Sequence, residues 1–167
     1  MPYIQHLNDC RLFQGLTEAE IAVFRPASTL VKFQGDDLIM REGDQGDTLL
    51  VLVKGTVTIS KKLTLLGDAE EDAKDKTFIT LDETIKPFFG EMAMLMDDSI
   101  RTATVCASTN CDLVVFEKLP FLKICRDNPA IGFVVMENIA RKLATNLDRE
   151  SKNVLKLTTA FSLVLDE

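Results

Sequence analysis

The strongest constraint in this chain is a change of texture at Leu119-Pro120. From about Ala27 to Lys118 the sequence is a series of short apolar runs punctuated by Gly and Asp. Thr48 to Val53 is a nearly continuous apolar run, Gly55 makes a turn, and Val57 and Ile59 then alternate with Thr56, Thr58 and Ser60 at the period of two that marks a strand. Short strands at regular spacing with turn signals specify a β-sandwich or roll. Beyond the proline the pattern is helical. Phe121 to Arg126 reads as a short helix, and Asn128-Pro129 as a break that places proline in the first turn of the next helix.

That next helix runs from about Ala130 to at least Leu157. Met136, Ala140, Leu143, Leu147, Glu150, Val154, Leu157 and Phe161 follow one another at alternating steps of four and three. All but Glu150 are apolar, which is the seam of a coiled coil. Such a stripe needs a cover, either the chain's own roll or a second copy. Dimerisation is the expectation, with the first half of the helix also packing on the roll. The tail from Thr158 to Leu165 is too apolar for a comfortable free end.

Ahead of the roll, Leu16 to Phe24 forms a short helix. Thr17 is placed to cap it, Glu20 is the capping-box partner, and Pro26 stops it. Gly67 to Lys76, the most polar stretch, reads as an exposed hairpin tip.

Composition removes whole classes of function. The single histidine, His6, lies near the N-terminus and reads as a solvated side chain. Imidazole-rich metal sites and Ser-His or Cys-His nucleophile systems therefore have nothing to work with. Cys10, Cys106, Cys111 and Cys125 contain no C-x-x-C pair and read as small, mostly buried thiols. The net charge of −7 disfavours phosphate backbones and anionic lipid. No apolar run approaches the ~18 residues of a membrane span, and the first residues carry no signal-peptide pattern. The chain is expected to be cytoplasmic.

Two segments are more specific. The first runs from Gly35 through Glu42-Gly43-Asp44-Gln45-Gly46-Asp47 to Val57. Its glycines, Gly35, Gly43, Gly46 and Gly55, read as turn residues of the roll, and Asp44 and Asp47 as turn caps. The second is Phe89-Gly90-Glu91-Met92-Ala93-Met94-Leu95, followed by Arg101-Thr102-Ala103-Thr104-Val105. Gly90 allows close backbone approach, and Glu91 to Leu95 can start a short helix whose free N–H groups favour an anion. Arg101 brings a planar guanidinium able to fork onto two phosphate oxygens. Glu91 supplies an acceptor for a sugar hydroxyl. Ala93, Ala103 and nearby Met and Val side chains line the kind of apolar wall that small-ligand sites use. A Glu91–Arg101 ion pair is the plainer alternative.

Together these segments resemble the cyclic nucleotide-binding domain family, over about residues 12 to 150. Phe89 to Ala93 with Arg101 to Val105 looks like the family's phosphate-binding cassette. The spacing from Glu91 to Arg101, and the stretch from Phe121 to Leu143, look most like the catabolite activator branch. The resemblance implies a mainly β fold with helices: a double-stranded β-helix (jelly-roll) β-roll with a short N-terminal helical segment and a long C-terminal dimerisation helix. It places a cyclic nucleotide-binding domain at 1-150, with the roll at about 27-118 and the long helix at about 130-157. Residues 151-167 would hold the end of that helix and the apolar tail, with no helix-turn-helix.

The implied ligand is cAMP or cGMP, with no further cofactor, no metal and no catalysis. Arg101 would hold the cyclic phosphate and Glu91 the ribose 2′-hydroxyl. Backbone amides of Gly90, Glu91, Met92 and Ala93 would complete the anion cradle, and Thr102 would reach the phosphate or base. Asn146, with Thr145 in reserve, would close over the base from the long helix. The departure from the family pattern is Asp97-Asp98 just ahead of Ser99, Ile100 and Arg101. The expected partners are a cyclic nucleotide and a second copy, without direct nucleic acid or membrane contact. A protein-interaction roll that no longer binds nucleotide is the competing reading.

Overall fold

The structure, a computed structural model, describes residues 2–62 and 75–165. Among these, eight strands form two four-stranded antiparallel sheets. The first has the order β1 (Ser28–Phe33), β8 (Cys111–Glu117), β3 (Thr48–Lys54), β6 (Phe88–Phe89). The second has β2 (Leu38–Met40), β7 (Thr104–Ala107), β4 (Thr56–Lys62), β5 (Asp75–Asp82). This is the jelly-roll, mainly β with helices, that the sequence led us to expect. The polar stretch 67–76 read as a hairpin tip falls mostly outside the described residues; β5 already includes Asp75 and Lys76.

The continuous apolar run at Thr48 to Val53 follows from the layering. In a strand, successive side chains point to opposite faces, and β3 is covered on both. Leu49, Val51 and Val53 join a core beneath the helices, whereas Leu50 and Leu52 join the core between the sheets. Strand β8 does the same, with Val114 and Phe116 on one side and Leu113 on the other. On β4, Val57 is fully buried and its neighbours Thr56 and Thr58 are partly solvated, hence the alternation there.

Helices cover the outer face of the first sheet. Helix α1 (Glu18–Ala22) has the anticipated capping box, with the Thr17 hydroxyl accepting from the Glu20 amide and the Glu20 carboxylate accepting from the Thr17 amide. Phe13, Phe24, Phe121 and Phe116 close a ring of aromatic contacts at centroid distances of 5.0–5.7 Å. The ring joins the N-terminal segment, β8 and helix α3 (Lys118–Asp127). Residues Pro2–Leu7 form a 3₁₀ turn that buries Tyr3 and Leu7 while His6 stays exposed. The N-terminal histidine is thus solvated as expected, on a segment that is docked. Cys10, Cys111 and Cys125 are buried and Cys106 is half-buried.

Helix α4 runs from Pro129 to Leu165, 37 residues, and takes in the apolar tail. Gly132 lets it approach α3 closely, because a Cβ there would collide with the Cys125 backbone. Asn138 ties it to the N-terminal segment, donating to the carbonyls of Leu12 (3.1 Å) and Gln14 (2.9 Å). The seam divides along its length. Met136 and Leu143 pack against the core under the helices, whereas Leu147, Val154, Leu157 and Phe161 are 62–72% exposed.

Candidate functional site

The site is built where two distant segments of chain meet. Gly90 adopts φ +78°, a conformation that favours glycine, and turns the chain from β6 into helix α2 (Met92–Leu95). A Cβ on Gly90 would meet the Thr48 carbonyl at 2.8 Å and Arg101 Nη1 at 2.7 Å. The loop from Gly43 to Asp47 lies against the residues leading into β7. Gly43 donates to the Arg101 carbonyl (2.9 Å), Arg101 to the Asp44 carbonyl (2.8 Å) and Gly46 to the Ser99 carbonyl (3.0 Å). The first glycine-rich segment therefore holds the backbone of the second. Asp44 and Asp47 contribute backbone carbonyls, the latter accepting from Lys118.

Six of the anticipated residues, Gly90, Glu91, Met92, Ala93, Arg101 and Thr102, line one cavity of about 50 Å³. Met40, Ser99 and Ile100 complete its wall. Ala93 is buried, and its amide donates to the Gly90 carbonyl. Its part in the wall is the apolar side chain, since the N–H is already engaged. Thr102 is exposed, with its hydroxyl 4.0 Å from the Met92 sulfur. Asp97 and Asp98 are exposed and line a neighbouring hollow of about 370 Å³ with Asp47 and Lys118, which shares Ser99 with the cavity but brings neither aspartate into its wall.

Arg101 is buried, and its guanidinium reaches back to β3. Nη1 donates to the Thr48 carbonyl (2.8 Å) and Nη2 to the Thr48 hydroxyl (2.6 Å). Burial pulls its pKa below the ordinary arginine value, and the Asp47 charge partly opposes that. Gly46 makes room for it, because a Cβ there would collide with Arg101 Nε and Cζ. Gly46 thus has a role beyond the turn that the sequence suggested.

Glu91 pairs with Lys142 on α4, at 3.0 Å, and not with Arg101. Lys142 also donates to the Phe88 carbonyl, and its Nζ sits 4.2 Å from the centre of the Phe88 ring. Burial lowers the Lys142 pKa; the Glu91 carboxylate works against that fall. The long helix therefore reaches the cassette through Lys142, one turn before Asn146. The Asn146 amide oxygen accepts from Arg149 (3.4 Å), the Thr145 hydroxyl donates to the Arg141 carbonyl (2.8 Å), and neither lines the cavity. Lys142 and Thr48 are the residues that sequence reasoning missed. A signal for Lys142 existed: it lies next to Leu143 and shares a helix face with buried Ile139.

Residues 30–128 match the family model described as the cyclic nucleotide-binding domain. The cAMP-activated global transcriptional regulator CRP of Pasteurella multocida is 25% identical over 123 residues, covering 74% of this chain and 54% of that protein. The cGMP-dependent protein kinase egl-4 of Caenorhabditis briggsae is 26% identical over 125 residues, covering 74% of this chain and 16% of the kinase. The catabolite activator protein of Thermus thermophilus aligns with a TM-score of 0.73 at 25% identity, covering 89% of this chain and 63% of that one. This chain thus spans about half of the first regulator's length and far less of the kinase's.

Proposed function

The chain belongs to the cyclic nucleotide-binding domain family, and on that premise we propose that it is a regulatory module that senses cAMP or cGMP and passes the signal through α4. The observation that carries this reading is the gathering of Gly90–Ala93, Arg101 and Thr102 around one cavity, with Arg101 buried in its wall. A guanidinium has five N–H donors; Thr48 takes two, and three remain for the cyclic phosphate. Glu91 accepts from the ribose 2′-hydroxyl, and Met40, Met92, Ala93 and Ile100 offer apolar surface to the nucleoside. Thr102, at the exposed edge, reaches the phosphate or the base.

A cavity of about 50 Å³ is well below the ~300 Å³ of ordinary ligand sites, so binding is coupled to opening. Lys142 is placed to transmit that opening. It holds the carboxylate that the ribose needs, so a nucleotide engaging Glu91 redistributes the Lys142 contacts and biases how α4 docks. Asn146, one turn beyond Lys142, approaches the base only after such a shift. The domain comprises residues 1-150, and 151-167 hold the end of its long helix, which runs to Leu165, and the apolar tail. The module works in the cytoplasm as a homodimer, without catalysis and without reading nucleic acid itself.

Calorimetric titration of the purified chain with cAMP and with cGMP tests the reading. Heat of binding and a thermal midpoint that rises with ligand concentration are expected with at least one nucleotide. Arg101→Lys, which keeps the charge and loses the fork, should weaken binding by at least tenfold, about 1.4 kcal/mol. Silence with both nucleotides sinks the reading.

A further inference from the structure

We propose that the hydroxyl of Thr48 is a positioning group that sets the direction of the Arg101 fork. The inference rests on the nucleotide-binding reading for its consequence, but its structural content stands apart from it. Thr48 is the first residue of β3, half-buried and registered opposite Glu117 of β8. It lies 53 residues from Arg101 in sequence and accepts two hydrogen bonds from that guanidinium. The two bonds have different origins. The carbonyl bond at 2.8 Å belongs to the backbone, and any residue at this position would supply it. The 2.6 Å bond to the hydroxyl belongs to the side chain.

One bond alone would leave the guanidinium free to swing about its contact; two from the same residue fix its plane. The geometry favours threonine for this. Two heavy atoms on Cβ restrict χ1, so the backbone of β3, held at Thr48 by its pairing with Glu117 of β8, dictates where the hydroxyl points. Gly46 and Gly90 leave the space that the side chain of Arg101 crosses to reach it. With two donors held by Thr48, the three that remain are presented in one orientation. A phosphate then meets a fork that is already aimed, and less freedom is lost on binding.

Thr48→Val keeps the shape and removes the acceptor; Thr48→Ser keeps the acceptor. Both, with the wild type, are titrated with cAMP and cGMP, and the Arg101 guanidinium is followed by ¹⁵N NMR without ligand. Loss of a charge-assisted bond predicts about tenfold weaker binding in Thr48→Val and recovery to within about threefold in Thr48→Ser, with the thermal midpoint of free Thr48→Val lowered because Arg101 Nη2 loses its acceptor and that of Thr48→Ser restored. Separate Arg101 Nη signals, seen when guanidinium rotation is hindered, should be present in the wild type and Thr48→Ser and averaged in Thr48→Val. Equal affinity of Thr48→Val and wild type, failure of serine to rescue, or unchanged guanidinium signals would each overturn the proposal. A wild type that binds neither nucleotide refutes the nucleotide reading, and the NMR comparison then decides the role of Thr48 alone.

Discussion

Lys142 places a cation beside Glu91, a carboxylate whose side chain is only 9% exposed. A buried ion pair has little net worth against an apolar replacement, but removing one partner leaves an uncompensated charge at a cost of ~3–5 kcal/mol. Lys142 retains 28% exposure, so water would relieve part of that cost. We expect Lys142→Met to destabilise the fold by about 2 kcal/mol, and Lys142→Met with Glu91→Gln to recover much of the loss. Urea unfolding of the two single variants and the double variant measures it; a double-variant loss equal to the sum of the two single losses would show that the pair does not couple. At this scale the sequence revealed the local part of the site. Gly90, Glu91, Ala93 and Arg101 lie within twelve residues, and their chemistry is legible in order. Lys142 lies 51 residues from Glu91 and Thr48 53 from Arg101, distances that only folding closes.

Helix α4 is the element whose two ends face different fates. Its first half buries Val135 and Ile139 and packs Met136 and Leu143 on the same core. Its second half carries Leu147, Val154, Leu157 and Phe161 in the open. A helix apolar on a face that no described residue of its own chain covers is most simply covered by a copy of itself. Under the proposed dimer, Leu157→Asp should halve the sedimenting mass while changing the stability of the monomer by no more than about 0.5 kcal/mol, as for other exposed positions. A wild type that sediments as a monomer at high concentration would refute the seam. The period of the stripe was visible in the sequence. Where it stops serving the roll was not, because that depends on how far the body of the domain extends along the helix.

For the whole molecule, the N-terminal segment, α3 and α4 together close one core over the first sheet, and they bury Cys10 and Cys125. Burial pushes both thiols up from 9.0 to about 11. A group whose pKa is raised by folding stabilises the native state fully below its unfolded value, and the contribution is lost as pH rises through the folded value. Stability should therefore fall between about pH 9 and pH 11 as the unfolded thiols ionise. Cys10→Ala should make that fall shallower, as read from urea midpoints across the range. An equally steep fall in the variant would remove buried Cys10 as a cause.

Local residue patterns specified a β-sandwich or roll, the capped N-terminal helix and the long C-terminal helix, and the family resemblance added the jelly-roll and the candidate cassette. Each is encoded by residues close together in the chain: strand periodicity, a Thr17–Glu20 box, a seam of fours and threes, a glycine with its glutamate and arginine. Only the packing of the folded chain set Gly46 and Gly90 against Arg101, made Thr48 its acceptor and Lys142 the partner of Glu91, and left Asn146 off the cavity wall. Those contacts join β3, α2 and α4 across long stretches of chain. They depend on distances between packed elements, which side-chain chemistry read in order does not contain.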